Sequence, residues 1–338
     1  MKLHTASMAP GSSLGDERVG VIIPVFNRRT ILLETLPSVL AQSLAPAQLV
    51  VVDDGSTDGT PAAAEAWLSR RRPPFPWKVI RARHVSAAAA RNIGFAEMHP
   101  VPLMAFLDSD DHWPADFLAR GVAALGQHPK AVAAVSDRRF IDAFGECVEE
   151  DDCRELTENP LNWFFAHGAG VASCTVMRSA AFRAAGGWSE TQGPGEDALL
   201  FCELALRGPW AHMPGEPVSF HLGTARARRE EHNLSQRIPD SHFQWARAYE
   251  QIYARICERR PLAPRAELHR ALGMRWYWAG KQLFTLGRAD EARECFRRAI
   301  NWQPTMFRAW RRWATAGASR WSRALATPKG TSTRRAAG

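Results

Sequence analysis

Leu103-Met-Ala-Phe-Leu-Asp-Ser-Asp-Asp111 is the stretch on which the reading of this chain turns. An apolar run breaks off abruptly into acids, the pattern of a buried strand that emerges into a site. Asp108 and Asp110 are two positions apart, so on a continuing strand they face the same side and on a turn they can converge. Two convergent carboxylates do not stay ionised cheaply unless a cation lies between them. All-oxygen ligation of that kind suits Mg²⁺ or Mn²⁺, especially where substrate phosphates complete the shell. Asp-Ser-Asp alone also fits a plain strand-end turn with solvated acids. What surrounds it decides.

Val19-Gly-Val-Ile-Ile-Pro-Val-Phe26 is a short apolar run of the kind buried on both faces of a parallel sheet, with Pro24 expected to end the strand because it cannot donate to the ladder. Ile31, Leu32, Leu36, Val39 and Leu40 fall at helical spacing within Thr30–Gln42, and Thr30 is the expected N-cap. Leu49-Val-Val-Val52 is a second buried strand, leading into Asp53-Asp-Gly-Ser-Thr-Asp-Gly-Thr60, and a helix through Ala62–Leu68 follows. Strand, helix, strand, helix indicates a right-handed parallel α/β unit with ligands outside the carboxyl ends of its strands. Phe26 at a strand end can stack on a nucleobase, Asp54 can accept from a base N–H, and Gly55 permits a tight turn. Arg91 is suited to a diphosphate and Asn92 to holding its loop. Each also has an ordinary structural reading, as a turn or a surface cation.

Pro24-Val-Phe-Asn27, Val52-Asp-Asp-Gly-Ser-Thr-Asp58, Ala90-Arg-Asn-Ile-Gly94 and Phe106-Leu-Asp-Ser-Asp-Asp111, in this order, resemble a family 2 glycosyltransferase over roughly residues 18–225. The resemblance implies an α/β protein with the GT-A fold, a Rossmann-like nucleotide-binding half joined to an acceptor half. It implies donor contacts from Pro24, Val25, Phe26, Asn27 and Asp54, and further ones from Arg91, Asp108 and Ser109. The chain departs from the family at Ser86-Ala-Ala-Ala-Ala90, where a glycine usually precedes Ala-Arg-Asn. The Gln-x-x-Arg-Trp motif of processive members is absent.

Downstream, Val171-Ala-Ser-Cys-Thr-Val-Met177 reads as a strand and Ser179–Ala185 as a short helix closed by Gly186-Gly187. In the resembling enzymes the loop carrying Trp188 helps form the acceptor site, and Glu196-Asp197, opening a helix over Ala198–Arg207, matches the motif whose aspartate is the general base. Trp188 and Glu196 are therefore expected on the acceptor side and Asp197 as the base. A core tryptophan and a helix-capping acid are the competing readings. Val218-Ser-Phe-His221 resembles the strand that ends the GT-A core, where related enzymes often carry a metal-binding histidine, so the implied ligand set is Asp108, Asp110 and His221. The Arg-rich stretch Ala225–Arg229 reads as a lid over the diphosphate or as a solvated loop.

The chain of 338 residues is 46% hydrophobic and 23% charged, an ordinary globular composition. Its +8 net charge is unevenly placed: residues 1–239 balance at −5 and residues 240–338 at +13. Two units are expected, the second beginning near Asp240 and helical. There Trp276, Gly280, Leu283, Ala292, Phe296, Ala299 and Pro304 fall at the offsets of a single tetratricopeptide repeat, with Leu283 where Tyr is usual. One repeat cannot bury its own face, so neighbouring helices are expected to cover it. The expected division is a disordered tail over 1–17, the GT-A domain over 18–238, the helical segment over 239–316 and a basic disordered tail over 317–338. None of the six cysteines has CxxC or zinc-type spacing, and no apolar run suits an export signal or a membrane span. A cytoplasmic protein with reduced thiols is expected.

These readings converge on an inverting, metal-dependent transferase that uses Mn²⁺ or Mg²⁺. It would move a sugar from a nucleotide-sugar donor, a UDP-sugar in the first place, to a hydroxyl of a glycan or lipid-linked acceptor. A sugar-nucleotide nucleotidyltransferase would carry a glycine-rich loop after the first strand, where Pro24-Val-Phe-Asn-Arg-Arg29 has none. A degenerate transferase acting as a scaffold would have lost an acid, yet Asp54, Asp108, Asp110 and Asp197 are present. Nucleic-acid binding rests on the basic C-terminus alone, without a motif. Arginines interleaved with Trp302, Trp310, Trp313 and Trp321 also suit the anionic inner face of a membrane.

Overall fold

The first apolar run forms β1 (Val19–Val25), buried along its whole length. The computed structural model describes residues 18–83, 86–191, 195–222, 240–259 and 265–326. The N-terminal stretch 1–17, the Arg-rich stretch 225–229 and the last residues, 327–338, lie outside the described residues. After β1 come α1 (Arg29–Leu40), β2 (Gln48–Asp53), α2 (Thr60–Arg71), β3 (Trp77–Arg81), α3 (Ala87–Glu97) and β4 (Leu103–Phe106). β1 pairs in parallel with β2 and β4, and β2 with β3, so the order β3-β2-β1-β4 brings the carboxyl ends of four strands to one edge. That edge is where an α/β sheet presents its ligands.

Two local expectations are corrected. Pro24 lies inside β1, opposite Val52 of β2. Ile22 accepts from Leu107 N–H on the β4 side, so Pro24, two residues on, turns its missing donor to the same side, where β4 has already ended. The cap of α1 comes from far along the chain, not from Thr30. Arg28 N–H donates to Thr60 Oγ1 and Arg29 N–H to Asp58 Oδ2, so the loop after β2 satisfies the open amides of the helix start.

The sheet continues through α4 (Phe117–Gln127), β5 (Ala133–Ile141), β6 (Cys147–Asp151), α5 (Arg154–Glu158), α6 (Pro160–His167), β7 (Thr175–Arg178), α7 (Ser179–Ala185), α8 (Glu196–Ala205) and β8 (Trp210–His221). β7 inserts antiparallel between β4 and β5, β6 pairs antiparallel with β5, and β8 runs parallel to β5. The strand expected from Val171 begins at Thr175. Val171 C=O instead accepts from Cys174 N–H and Thr175 Oγ1, closing a turn around Ser173. Apolar patterning also passes over β3, half-buried at an edge, and β6, exposed at four of its five residues.

The chain divides into two compact units, Met1–Asn233 and Leu234–Gly338. The second contains α9 (Ser241–Arg259), α10 (Arg265–Thr285), α11 (Ala289–Trp302) and α12 (Phe307–Ala326). Trp276, Leu283, Ala292, Phe296 and Ala299 are fully buried between α10 and α11. A Cβ on Gly280 would lie 2.6 Å from Phe296 Cε1, so only glycine lets the two helices approach this closely. Ala246 of α9, Met306 just before α12, and Ala309 and Ala316 of α12 join the same core, supplying the neighbours a single repeat needs. α12 runs past the expected end at 316, through the helix-favouring Ala318–Ala326.

Candidate active site

The acidic stretch leaves β4 as a turn in which Asp111 N–H donates to Asp108 C=O. Ser173 fixes that turn from the segment before β7: its Oγ accepts from Asp108 N–H at 3.0 Å, and its carbonyl takes the Trp113 indole N–H. The carboxylates are closely packed. Burial pushes Asp110 above the usual range, with Asp108 adding to the shift and Arg28 opposing it. Burial also drives Asp111 well above that range, with Asp110 and Asp108 adding to it. Arg28 meets Asp110 at 2.5 Å, and Arg91 meets Asp108 at 2.6 Å.

Arg91 is the hub of this edge. It projects from α3, which starts at Ser86, whose Oγ caps Ala89 N–H where the family's glycine is missing. Gly94 lets α3 lie on the sheet, since a Cβ there would come 2.5 Å from Ile22 Cγ2. Arg91 is 7% exposed, and its guanidinium is bonded to Asp108, stacked 4.4 Å over the Trp188 ring, and within electrostatic reach of Glu196 and Asp197 at the start of α8. This corrects two expectations. Arg91 is engaged by Asp108 and Trp188 and is not an open diphosphate contact. Trp188, 2% exposed and set edge-on against Phe106 and Phe201, offers no free face to an acceptor. Asn92 holds the Trp188 loop at both ends of its amide, accepting from Trp188 N–H and donating to Trp188 C=O and Glu190.

Glu196 and Asp197 occupy the first turn of α8, where the helix field favours negative charge. Asp197 accepts from its neighbour Ala198 N–H at 2.7 Å. Even so, desolvation by the surrounding protein holds both carboxyls above their ordinary values, for Glu196 with Asp197 adding to it. A raised carboxyl in contact with solvent and near a cation can take up a proton during turnover.

On the nucleotide side, Phe26 follows directly after β1 with 36% of its surface exposed. Asp54 is buried, its N–H donating to Val25 C=O, and Gly55 takes φ 83°. Asn27, at φ 50°, donates its N–H to Ser56 Oγ and accepts from Thr57 N–H. Pro24, Val25 and Ser109 are buried, and Ser109 C=O takes the Thr35 hydroxyl. Of these residues only Phe26 and Asn27 bring side-chain surface to the edge.

His221, at the end of β8, lies 3.2 Å from His112 Nδ1 through its own Nδ1, and His112 Nε2 lies 3.0 Å from Glu34 C=O. Because a carbonyl only accepts, the neutral pair has its protons on His112 Nε2 and His221 Nδ1. The His221 ring also hydrogen-bonds the Asp110 backbone, which ties the end of β8 to the acidic turn. Burial and the neighbouring His112 both lower the His221 pKa, keeping it neutral. Asp108, Asp110 and His221 nevertheless do not meet at one point. Among the described residues, the ligand atoms that do cluster are those of Asp137, Asp152 and His212. Their charges are already partnered: Asp137 takes His212 and Cys153 N–H, and Asp152 takes Arg154. Arg28, Asp111, His112 and Ser173 are site residues that the sequence reading did not assign. Only Asp111 carried a signal, as the third acid of the run.

The glycosyl transferase family 2 pattern matches residues 20–185, spanning the Asp53-Asp-Gly-Ser turn, the Arg91 helix and the acidic turn. The chain carries a glycosyl transferase family 2 domain. The succinoglycan biosynthesis protein ExoW of Rhizobium meliloti is 27% identical over 212 residues, covering 56% of this chain and 64% of that protein. An uncharacterized glycosyltransferase of Rickettsia conorii is 36% identical over 98 residues, and this chain spans only 15% of its length. Among solved structures, S. aureus TarS in complex with UDP aligns over 92% of this chain and 93% of its own, with TM-score 0.61 and 15% identity. The mannosyltransferase PcManGT of Pyrobaculum calidifontis, in complex with GDP-Man and Mn²⁺, aligns over 93% and 82%, with TM-score 0.58 and 20% identity. The family 2 domain thus has the GT-A architecture, with an 8-stranded mixed sheet and a helical unit after it.

Proposed function

We propose that this protein transfers a sugar from a nucleotide-activated donor to an acceptor hydroxyl with inversion, and that Asp197 is its general base. The observation that carries the reading is the Arg91 hub, which sets the acids of the β4 turn and those at the α8 start around one buried cation. Phe26, exposed just after β1, receives the base, and Asp108 lies toward the ribose and diphosphate. Arg91 positions Asp108 and holds a positive field beside Asp197, while Asp197 takes the proton from the attacking hydroxyl. Trp188 keeps Arg91 in place. Asp108 and Asp110, two residues of one turn, are the carboxylates that would hold Mn²⁺ or Mg²⁺ once released from Arg91 and Arg28, with His221 brought to them as a third ligand. Such an ion, when bound, neutralises charge on the departing nucleoside diphosphate. A UDP-sugar is the first donor to try, since the TarS neighbours contain UDP and UDP-GlcNAc, and a GDP-sugar is the second. A glycan or lipid-linked acceptor agrees with the name of the succinoglycan relative. The test is a screen of nucleotide sugars for hydrolysis with and without Mn²⁺, which needs no acceptor. If no nucleotide sugar is bound or cleaved, the reading fails.

The pH profile adds a second check. Because the Asp197 carboxyl is held above 3.8, the deprotonated base populates only above that value and is lost as pH falls through its raised pKa. The acid limb of the kcat profile is therefore expected above the ordinary carboxylate range, and it should be missing from Asp197→Asn. A limb at or below pH 3.8 contradicts the assignment.

We also propose a peripheral contact of the helical unit with an anionic membrane. No helix among the described residues is long and apolar enough to cross one. Trp302 and Trp313 belong to the helical core. Phe307, 83% exposed, and Trp310, 46% exposed, stand out from α12 beside the exposed Arg308 and Arg311. Aromatic rings and cations together suit such an interface. The double variant Phe307→Ser, Trp310→Ser is expected to weaken binding to anionic vesicles about tenfold at low salt, from the buried ring area it removes. Equal vesicle binding by wild type and variant would refute it.

A further inference from the structure

Arg28 joins two parts of the site through its side chain, beside the Thr35–Ser109 hydrogen bond that also links α1 to the acidic turn. Its backbone belongs to the nucleotide side. Asn27 N–H donates to Ser56 Oγ at 2.7 Å and Thr57 N–H to Asn27 Oδ1 at 2.8 Å. Arg28 N–H donates to Thr60 Oγ1 at 3.2 Å, and Arg29 N–H to Asp58 Oδ2 at 3.1 Å. Four hydrogen bonds thus root the segment in the loop after β2. The side chain of Arg28 crosses to the acidic turn, where its Nη1 lies 2.5 Å from Asp110 Oδ2.

The contrast with Arg91 matters. The Arg91 side chain is 9% exposed, its guanidinium lies on the Trp188 ring, and its Nε has no hydrogen-bond partner among the described residues, so it has nowhere to go. The Arg28 side chain is 21% exposed and its partner Asp110 19%, so this ion pair is open to solvent and can break without unpacking the core.

We infer that Arg28 is a positioning residue that occupies Asp110 in the donor-free protein and transfers to the donor diphosphate when metal and nucleotide enter together. The inference rests on the function proposed above. A divalent cation and a guanidinium repel each other and compete for the same carboxylate. Metal alone therefore has to break the Arg28–Asp110 pair and leave Arg28 beside a dication. Metal with a diphosphate gives the displaced guanidinium a new planar, two-pronged acceptor, and the rooted backbone keeps it within reach. The result is positive coupling between metal and nucleoside diphosphate, equal in both directions.

The test measures Mn²⁺ binding to the full chain from the spin-resonance signal of the free aquo ion, alone and with UDP or GDP. In the wild type, nucleoside diphosphate is expected to tighten Mn²⁺ binding ~10-fold or more, within the usual range of coupling between sites. Arg28→Gln should bind Mn²⁺ alone ~10-fold more tightly than wild type and lose most of that coupling. Arg28→Lys keeps the charge without the fork and should fall between the two, which guards against a variant that merely misfolds. If Arg28→Gln binds Mn²⁺ alone no better than wild type while both bind it with nucleotide, the inference is overturned and the function stands. If Mn²⁺ binds neither protein under any condition, the metal-dependent reading falls and takes the inference with it.

Discussion

Asp197→Asn is expected to lower kcat by roughly 10²–10⁴, the usual contribution of a positioned general base. The substitution is nearly isosteric, and the side-chain oxygen that accepts from Ala198 N–H remains. Donor affinity should therefore be preserved, and the loss should fall on kcat. Stability separates this role from that of a helix cap. The folded carboxyl is raised, so its ionised form costs the fold stability above the ordinary carboxylate range and costs nothing below it. Asn removes that cost, and Tm at neutral pH should rise, with the gain disappearing as the pH is taken below about 4. A capping acid predicts the opposite, a lower Tm and intact turnover. A variant that turns over normally would pass the role of base to Glu196, which shares the first turn of α8 and is raised by the same burial.

The α/β half of the fold is legible in the sequence where residue type and local geometry coincide. A buried strand that breaks into Asp-Ser-Asp can hardly be anything but a strand end at an edge, and β4 ends at Phe106 with the acids following directly. The tetratricopeptide offsets were legible for the same reason, because Gly280 against Phe296 is a steric requirement written into residue types. What stayed hidden depends on residues far apart in the chain. Nothing near Arg28 announces Asp110, and nothing near Ser173 announces the Asp108 amide it holds 65 positions away. The cap of α1 was assigned to Thr30 because local side chains are the usual caps, whereas Thr60 and Asp58 supply it here. Trp188 was ambiguous for a physical reason: an indole is equally good as a sugar platform and as core. The tertiary packing of Phe106, Phe201 and Arg91 around it decides for core, and its ring face is taken by the Arg91 guanidinium.

Asp110→Asn should abolish the metal dependence of nucleoside diphosphate binding, a loss of ~100-fold or more at saturating Mn²⁺, equivalent to about 2.8 kcal/mol. The carboxylate is 19% exposed on the turn after β4, and Asn fills the same volume, so the fold should survive the change. The competing account makes Asp110 simply the counterion of Arg28. Under that account the variant would leave an unpaired guanidinium that is already 21% exposed to water, and little would change. The two accounts therefore differ in the metal and not in stability. Titration calorimetry with UDP or GDP, run with Mn²⁺ and again with a chelator, separates them. If Asp110 holds the ion, wild-type affinity drops on chelation to the level of Asp110→Asn, and the variant is indifferent to the chelator. If both proteins bind the nucleotide equally with and without Mn²⁺, Asp110 is a counterion. The charge on the leaving diphosphate would then have to be met by the protein's own cations, with Arg28, freed from Asp110, the first to examine.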